Sequence, residues 1–460
     1  MNRCWHRITL IRLRSWSSSN MKVYISRLGC PKNDVDADYI SARLLTDGHE
    51  LVDDPLQADS VIVNTCAFIR AAKEESIEEL LRLGQLKENG KLKTLFASGC
   101  MSQRYGSELL DAMPELDGVF GLGEINTIAD AVRSVSSDRG VVRTEADELR
   151  YLCGEQRHIA DTLPYAYLKI ADGCNRRCSY CAIPSIRGRY RSRSLESIVT
   201  EAEFLASHGK KELILVSQEG TLWGADFDSK QCITDLLKEL ERIEGIEWIR
   251  LMYLHPAKLS EGLIEYLGAD NKTLSYFDLP LQHINTEMLR AMNRPIDRHR
   301  IEEILQTVRR ISPGSTIRTT FIVGFPGETD EQFEELLEFV REFRFDRLGA
   351  FTYSAEEGTP AAQLPDQVDE EVAAERVDQL MRCQFEIVQE KNNSLIGEVV
   401  DVIIDSVTPD EAIIGRTAGD CPEIDQEVHI NGDGLQTGEF CRVRIESVDG
   451  YDLGGILVTE

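Results

Sequence analysis

Three cysteines near the middle of the chain have a spacing that suits an iron–sulfur cluster. The segment that ends at Cys181 reads GCNRRCSYC, so that Cys174, Cys178 and Cys181 follow the pattern C-x3-C-x2-C. Three thiolates at this spacing can hold three irons of a four-iron cluster, and the fourth iron then stays open to a small-molecule ligand. Zinc normally takes four protein ligands, and no further cysteine or histidine follows at close range. The pattern therefore favours an open iron–sulfur cluster over a structural zinc site.

A second set of cysteines shares a position rather than a local motif. Cys30, Cys66 and Cys100 each come just after a predicted strand, and a glycine, Gly29 or Gly99, precedes two of them. Each alone would most often be a buried small residue. In an open parallel sheet, however, ligands bind at the carboxyl edge, where the three strand ends meet. The shared position therefore predicts a second cluster with three thiolate ligands and a free corner.

Alternating apolar runs and helical patterns predict the elements that position these cysteines. The pattern over residues 21–135 is typical of parallel βα units and predicts an amino-terminal α/β domain. Residues 136–160 are polar and irregular, and we interpret them as a linker. Six further βα units over residues 161–394 indicate an incomplete (β/α)6 barrel with its active face at the strand ends. Short strands between Gly, Asp and Pro turns over residues 395–460 predict a small antiparallel β-barrel.

Composition limits the class of protein. The chain has 460 residues, with 51 Lys and Arg against 79 Asp and Glu, and a formal net charge of −28. No run approaches the roughly 18 consecutive apolar residues of a membrane span, and no secretory signal precedes the cysteines. We therefore predict a cytoplasmic protein without membrane contact. Residues 1–20 carry four arginines and no acid, which fits a targeting peptide or a misassigned start. The strand pattern that begins at Met21 favours the misassigned start.

Charge patterning bears on the kind of partner. Residues 396–460 hold 15 acidic residues against three arginines, a net charge of −12. A barrel that binds RNA should be basic, whereas an acidic one suits a basic protein. A merely solvated acidic surface is the simpler alternative. Four arginines after the central motif could contact RNA instead, although pairing with the chain's own acids or with a cofactor carboxylate is the favoured interpretation; they are Arg187, Arg189, Arg191 and Arg193.

From Met21 onward the chain resembles the radical S-adenosylmethionine (SAM) methylthiotransferases. The resemblance rests on the central cysteine motif and on five further segments: RLGCPKN at 27–33, VNTCAFI at 63–69, SGCM at 98–101, IPSIRG at 183–188 and TFIVGFPGE at 320–328. It implies an amino-terminal methylthiotransferase domain, a radical-SAM barrel and a carboxy-terminal TRAM barrel. Together these correspond to the α/β architecture that the sequence pattern predicts.

The resemblance also implies cofactors and a reaction. Two 4Fe–4S clusters would be held by the six cysteines, with SAM on the open iron of the central one. One SAM would supply the radical and another the methyl group, while the second cluster handles the inserted sulfur. A C–H bond would thus become C–S–CH3. Catalytic residues beyond the cluster ligands stay unassigned.

Candidate SAM contacts lie beside the central motif and at the ends of the barrel strands. Glycine there suits close backbone approach, and each polar candidate could instead be a satisfied loop residue. The candidates are Tyr180, Gln218, Glu219, Gln282, Gly324 and Phe325.

The family divides by substrate. One branch modifies an adenosine of tRNA, and the other the β-carbon of an aspartate in small-subunit ribosomal protein S-twelve. The PLQH segment at 280–283 resembles the ribosomal-protein branch, and the acidic final barrel agrees with it, so tRNA is the less favoured substrate. Glu219 stands where that branch often has Asp. A non-catalytic iron–sulfur scaffold or electron carrier is the alternative from another class, although such proteins usually ligate every iron with cysteine.

The predicted reaction also needs partners. The substrate would be a basic ribosomal protein, either free or within the small subunit. Electrons would come from a reductase or a flavodoxin-type donor, and the inserted sulfur from a separate source.

Overall fold

A computed structural model describes residues 20–134, 140–142, 157–408 and 412–458. The interpretation of the segment before Met21 falls on residues 1–19, outside the described residues. The division into domains stays a prediction, and the architecture is given below element by element.

The amino-terminal part is a six-stranded parallel sheet with helices on both faces. Its strands are β1 Lys22–Arg27, β2 Glu50–Leu51, β3 Ser60–Thr65, β4 Thr94–Gly99, β5 Gly118–Phe120 and β6 Gly140–Val142, in the spatial order β2-β1-β3-β4-β5-β6. Its helices are α1 Pro31–Thr46, α2 Arg70–Glu88, α3 Cys100–Ala112 and α4 Ile125–Ser134. Strands β3 and β4 are buried along their whole length, as expected for a parallel sheet that is covered on both sides. Strand β6 lies within the segment that we interpreted as a linker and extends this sheet.

The central part contains six parallel strands in two three-stranded sheets, which confirms the predicted six-unit barrel. The first sheet has the order β11-β10-β7 and the second β12-β13-β14. These strands are β7 Tyr165–Lys169, β10 Glu212–Val216, β11 Trp248–Leu251, β12 Tyr276–Gln282, β13 Thr316–Val323 and β14 Arg347–Thr352. A short antiparallel pair, β8 Ala171–Asp172 and β9 Arg191–Ser192, flanks the cysteine loop.

Eight helices among the described residues accompany these strands and cover the outside of the sheets. They are α5 Ile183–Arg187, α6 Leu195–Ser207, α7 Ile233–Leu240, α8 Glu261–Leu267, α9 Thr286–Ala291, α10 Arg298–Ile311, α11 Asp330–Phe343 and α12 Glu370–Asn393. Except for α5, whose Ile186 packs into the amino-terminal core, the buried faces of these helices form one continuous apolar core with the strands, so the barrel walls are rigid supports for the loops at their ends. None of the described helices combines the length and the apolar character that crossing a membrane requires.

The carboxy-terminal part is a closed five-stranded barrel. It consists of β15 Val399–Val407, β16 Ile413–Thr417, β17 Val428–Asn431, β18 Phe440–Asp449 and β19 Asp452–Leu457, in the order β15-β16-β17-β19-β18. The β17–β19 pairing is parallel and the other four are antiparallel. The predicted small antiparallel barrel is confirmed, and its one parallel pairing arises because a ring with an odd number of strands cannot alternate direction throughout.

The loop between β16 and β17 enters the amino-terminal mouth of the large barrel. Cys421 packs there with Tyr165 and Tyr276, the first residues of β7 and β12. Asp425 accepts a hydrogen bond of 2.6 Å from the Tyr276 hydroxyl and lies 3.4 Å from the guanidinium of Arg318. This mouth is therefore plugged, and the opposite mouth, which carries the cysteine loop, faces the amino-terminal sheet.

Candidate functional site

The central cysteine loop follows β7 and is held by the β8–β9 pair. The Cys174 N–H donates to the carbonyl of Gly188 over 3.0 Å, and the Arg176 N–H donates to the Cys174 sulfur over 3.4 Å. Gly173 has a φ of +77°, and a Cβ at this position would collide with the backbone oxygen of Arg189. Glycine is therefore required for the loop to turn so tightly.

The other side of the loop rests on the segment after α9. The Ser179 N–H donates to the Met292 carbonyl over 3.0 Å, and the Ser179 hydroxyl donates to the Ala291 carbonyl over 2.7 Å. Tyr180 packs beside Met292 and Phe325, and Phe325 is fully buried. The structure thus places two predicted SAM contacts, Tyr180 and Phe325, in the apolar support beneath the loop.

Two thiols of this loop, those of Cys174 and Cys181, must lose a proton before they bind metal. Burial raises the pKa of Cys174 to about 11 and that of Cys181 to about 12. Only a thiolate binds iron, so loading of this site releases protons and depends on pH. The chemistry of the donor set, three thiols on one short loop, fits a cluster with one iron left open.

Two predicted SAM contacts, Gln218 and Glu219, lie just after the end of β10, and their side chains have different hydrogen-bond partners. Both polar atoms of the Gln218 side chain, Oε1 and Nε2, are buried without a hydrogen-bond partner among the described residues. The Glu219 carboxylate instead forms a bidentate ion pair with Arg176 over 2.7 and 2.9 Å. Buried polar atoms without a partner are costly, so Gln218 fits a polar ligand, while Glu219 holds the cysteine loop.

The remaining two candidates sit at the ends of β12 and β13. Gln282 has a φ of +74°, which is a strained conformation for a residue with a side chain, and follows a register shift in β12. Gly324 has a φ of +71°, and a Cβ there would collide with Ala373 of α12. Its N–H donates to the Glu328 carboxylate. The glycine therefore accommodates a helix, which is a different reason from the close cofactor approach that the sequence suggested.

The amino-terminal cysteines come together at the carboxyl edge of their sheet. Cys30 caps α1, Cys66 follows β3, and Cys100 begins α3 directly after β4. A Cβ on Gly29 would lie 2.6 Å from the Cys66 Cβ, so the loop that carries Cys30 passes directly against Cys66. Gly99 has a φ of +93°, and a Cβ there would lie 2.6 Å from the Thr65 carbonyl oxygen. Both glycines are thus needed for the three strand ends to approach.

Amide side chains connect the three strand-end loops. The Asn33 Nδ2 donates to the carbonyls of Leu28 and Thr65, each over 3.0 Å. The Asn64 Nδ2 in turn donates to the Asn33 carbonyl over 2.7 Å. These bonds replace ladder hydrogen bonds where the strands end, and they fix the loops that carry the thiols.

Arg187 joins the two cysteine sets, and the sequence reasoning missed this role. It ends α5, immediately after the central loop, and is 1% exposed. Its Nη2 donates to the Cys100 sulfur over 3.4 Å and to Asn33 Oδ1 over 2.8 Å, while Nη1 lies 3.1 Å from Asp172. The only signal in the sequence was its position within the run of arginines. Arg193 of the same run is also buried and pairs with Glu201, so both side chains serve the interior.

Two cations act on Cys30. Although burial opposes it, the charges of Lys32 and Arg187 hold the pKa of the Cys30 thiol below its usual value. The Cys100 thiol is more deeply buried, and burial raises its pKa to about 12 despite the adjacent Arg187. Lys32 and Arg187 therefore make the surroundings of Cys30 electropositive, which suits an anionic cluster.

Ion pairs fix the amino-terminal sheet against the large barrel. Glu356, in the loop after β14, lies 2.7 Å from Lys73 of α2 and 2.7 Å from Arg104 of α3. Lys169 at the end of β7 lies 2.7 Å from Asp36 of α1. These contacts are largely buried, so the two cysteine sets are held in a defined relative position.

A four-iron cluster and a single metal ion need different arrangements of their ligands. Within the described part of the chain, no three His, Cys, Asp or Glu side chains are arranged to hold one metal ion. The irons of a four-iron cluster occupy separate corners, so its thiolates do not need to converge on one point. Two sets of three thiols, each at strand ends, agree with that requirement.

Comparisons with known proteins agree with this architecture. The family described as the Radical SAM superfamily matches residues 168–340, Uncharacterized protein family UPF0004 matches residues 22–121, and the TRAM domain matches residues 396–458. The structure is similar to TsrM, a radical SAM methyltransferase from Kitasatospora setae solved with cobalamin and a 4Fe-4S cluster bound. That similarity has a TM-score of 0.55 at 18% identity and covers 75% of this chain and 77% of TsrM, so it supports the fold alone.

Relatives of known function cover nearly the whole chain. The protein named ribosomal protein uS12 methylthiotransferase RimO from Desulfitobacterium hafniense (strain Y51) is 44% identical over 442 residues, which are 95% of this chain and 99% of that protein. The protein of the same name from Clostridioides difficile (strain 630) is 42% identical over 441 residues, which are 96% of this chain and 99% of that protein.

Proposed function

Because the chain belongs to the family of ribosomal protein uS12 methylthiotransferases, RimO, we propose that it transfers a methylthio group to the β-carbon of an aspartate in uS12. It is a radical SAM enzyme, and its cofactors are SAM and 4Fe–4S clusters. The observation that carries the proposal is the near full-length match to these relatives, joined to two sets of three thiols that face each other across one interface.

The cysteines divide between the two clusters. We propose that Cys174, Cys178 and Cys181 hold the cluster that binds SAM. The tight loop after β7 supports this assignment, as does its position at the open mouth of the barrel. The three strand-end thiols of the amino-terminal sheet, Cys30, Cys66 and Cys100, are proposed to hold the second cluster. The contact between Arg187 and the Cys100 sulfur supports a short path between the two sites.

The proposed SAM contacts lie at the same mouth of the barrel as the central cysteine loop. Gln218 is the best supported of them, because both of its polar side-chain atoms are buried without partners in the described residues. Gln282 joins it as a strained residue at the end of β12. Glu219, Tyr180, Phe325 and Gly324 are proposed to act indirectly, since they hold the cysteine loop or the strand ends.

The cofactors and the protein chain contribute to the reaction in different ways. When bound, the clusters and SAM supply the radical and the methylthio group. The chain's own residues orient these groups and keep water away: the sheet edge covers the mouth of the barrel, and the loop around Cys421 closes its other end.

Partners beyond the substrate are proposed from the reaction alone. The reaction consumes electrons, and we propose a reductase or a flavodoxin-type protein as their donor. It also consumes sulfur, and we propose a sulfur source that is separate from the chain. A cytoplasmic location agrees with a ribosomal protein as substrate. Of the other candidate functions, tRNA methylthiolation would favour a basic final barrel, whereas residues 396–460 are acidic.

The reconstituted enzyme tests the proposal. The protein is loaded with iron and sulfide without oxygen, reduced, and given SAM with either uS12 or tRNA. We expect one methylthio group on a uS12 aspartate, detected by mass spectrometry, and none on tRNA. Methylthioadenosine in tRNA with unmodified uS12 would contradict the proposal.

Two cysteine variants test the proposed assignment of the cysteines to the two clusters. Cys174→Ala should lose the release of 5′-deoxyadenosine from SAM. Cys66→Ala should keep that release and lose methylthio transfer, because it alters only the second site. A wild-type protein that releases no 5′-deoxyadenosine would instead support the scaffold or electron-carrier alternative.

A further inference from the structure

Lys32 is a buried cation without a carboxylate partner. The residue is 7% exposed, and among the described residues no Asp or Glu oxygen lies within ion-pair distance of its Nζ. The Nζ donates to the Ser217 carbonyl over a long 3.4 Å and lies 4.0 Å from the centroid of the Tyr253 ring. A carbonyl and an aromatic face compensate a buried ammonium only in part, because a charge removed from water normally needs an opposite charge.

The neighbouring buried cations at this interface have carboxylates that compensate their charge. Arg187 and Lys169 both pair with Asp172 and with Asp36. Tyr253, Cys30 and, less strongly, Asp172 also act electrostatically on Lys32, but Asp172 is already occupied by Arg187 and Lys169. Of these three buried cations, Lys32 is therefore the one without a carboxylate at ion-pair distance among the described residues. The Cys30 thiol that it acts on belongs to the proposed second cluster site, so a carboxylate from a bound substrate would give Lys32 an ion pair of its own.

The position of Lys32 narrows the identity of that anion. It lies in the first turn of α1, two residues after Cys30, and reaches across the interface to Ser217, the residue before Gln218. One side of Lys32 is thus the proposed sulfur site and the other side the proposed SAM pocket. The carbon that loses hydrogen to one site and gains sulfur from the other must lie between them, and Lys32 crosses the interface between these two sites.

We propose that the Lys32 ammonium binds the side-chain carboxylate of the target aspartate and so selects an acidic substrate. This inference rests on the proposed function. The carboxyl carbon is bonded directly to the β-carbon, so a cation that fixes the carboxylate also fixes the carbon that reacts. A site built around a buried cation rejects a neutral analogue, because the cation would then stay unpaired.

Binding of two matched peptides tests the inference on the cluster-loaded protein with SAM present. One peptide carries the uS12 segment around the target aspartate, and the other has asparagine at that single position. We expect the wild-type protein to prefer the aspartyl peptide by about tenfold or more. Lys32→Met should bind both peptides about equally, and Lys32→Arg, which keeps the charge, should restore part of the preference.

Lys73→Met is the matched control. Lys73 also reaches from the amino-terminal sheet to the barrel side of the interface, but it has a carboxylate partner in Glu356. It should keep the wild-type preference between the peptides, because Arg104 still pairs with Glu356 and holds the interface. If Lys32→Met also keeps that preference, the inference is overturned.

The readouts separate Lys32 from the clusters and from the substrate assignment. The iron content and the reduction potentials of Lys32→Met are measured beside peptide binding. A shifted potential of the second cluster with an intact peptide preference would mean that Lys32 serves the cluster, which also overturns the inference. If the wild-type protein neither binds nor modifies the aspartyl peptide, the proposed substrate fails and the inference fails with it.

Discussion

At the residue scale, similar sequence signals lead to different roles once the neighbours are known. Gln218 and Glu219 are adjacent and were equal candidates for SAM contact. The structure distinguishes them, because Arg176 occupies the Glu219 carboxylate while Gln218 has no partner among the described residues. The six cysteines could be predicted from spacing and strand ends, whereas the partners of Lys32 and Arg187 depend on contacts between segments more than 80 residues apart.

Arg187→Met should destabilise the protein strongly. The change removes a guanidinium that is 1% exposed and takes one of its ion-pair partners away from the buried carboxylate of Asp172. Breaking a buried pair from one side costs about 3–5 kcal/mol of unfolding free energy. Urea titration of the metal-free protein measures this loss. Arg442→Met, at an exposed position, is the control and should change the value by less than about 0.5 kcal/mol. Equal stability of the two variants would refute the structural role of Arg187.

At the element scale, the order and type of the strands could be predicted well from the sequence. The alternation of apolar runs with helical patterns indicated parallel βα units, and strand-end cysteines indicated the functional edge. Two features could not be predicted. The three-residue strand β6 is too short to carry a periodic signal, and the parallel β17–β19 pairing depends on closure of the whole barrel.

Gly99→Ala should empty the second cluster site and spare the first. A Cβ at this position would lie 2.6 Å from the Thr65 carbonyl oxygen, so the strand ends β3 and β4 must separate and the thiols with them. We expect the iron content per chain to fall to about half of the wild-type value, because one of two four-iron clusters is lost. Gly90→Ala, which has a φ of +70° but open space around it, is the control and should keep full iron content. Full iron loading of Gly99→Ala would contradict this geometry.

Asp405 gives the contact between β15 of the small barrel and the large barrel a pH dependence. Burial raises the pKa of Asp405 to about 6, helped by Glu212 and opposed by Arg416 at 2.8 Å. The folded protein therefore keeps a proton that the unfolded chain loses at lower pH. This proton stabilises the folded state at low pH, and the stabilisation is lost as the pH rises through about 6.

Asp405→Asn should consequently stabilise the protein more at pH 8 than at pH 5. Asparagine is neutral at both values, so only the wild-type protein carries the cost of a buried charge at the higher pH. The difference in unfolding free energy between variant and wild type should grow by about 1.4 kcal/mol between these conditions. Urea titrations at both pH values measure it. A difference that is constant or shrinks with pH would show that Asp405 ionises normally.

At the scale of the whole molecule, the acidic charge of the final barrel has two uses. Some of its carboxylates point inward, where Asp420 pairs with Arg347 and Asp425 with Arg318. Others are exposed on the outer surface and are free to attract a basic partner; they include Glu427, Glu439, Glu446 and Asp449. Net charge could be counted from the sequence, but this division between inside and outside could not.

Neutralising the exposed acids should weaken the capture of uS12. In a variant with Glu427→Gln, Glu439→Gln, Glu446→Gln and Asp449→Asn, we expect association with uS12 to slow by about tenfold at low salt. The difference should shrink at high salt because screening removes it. A control variant with Glu331→Gln, Glu338→Gln and Glu342→Gln alters exposed acids on α11 instead. The association rates are measured by stopped flow. An equal decrease in the association rate of the control variant would indicate a nonspecific charge effect.

The central claim is that the substrate is a ribosomal protein and not tRNA. The most direct measurement is the intact mass of the small-subunit ribosomal proteins from cells with and without this gene. We expect uS12 alone to lose one methylthio group on deletion, and fragmentation to place that group on an aspartate. Unchanged ribosomal proteins together with a loss of methylthioadenosine from tRNA would contradict the account.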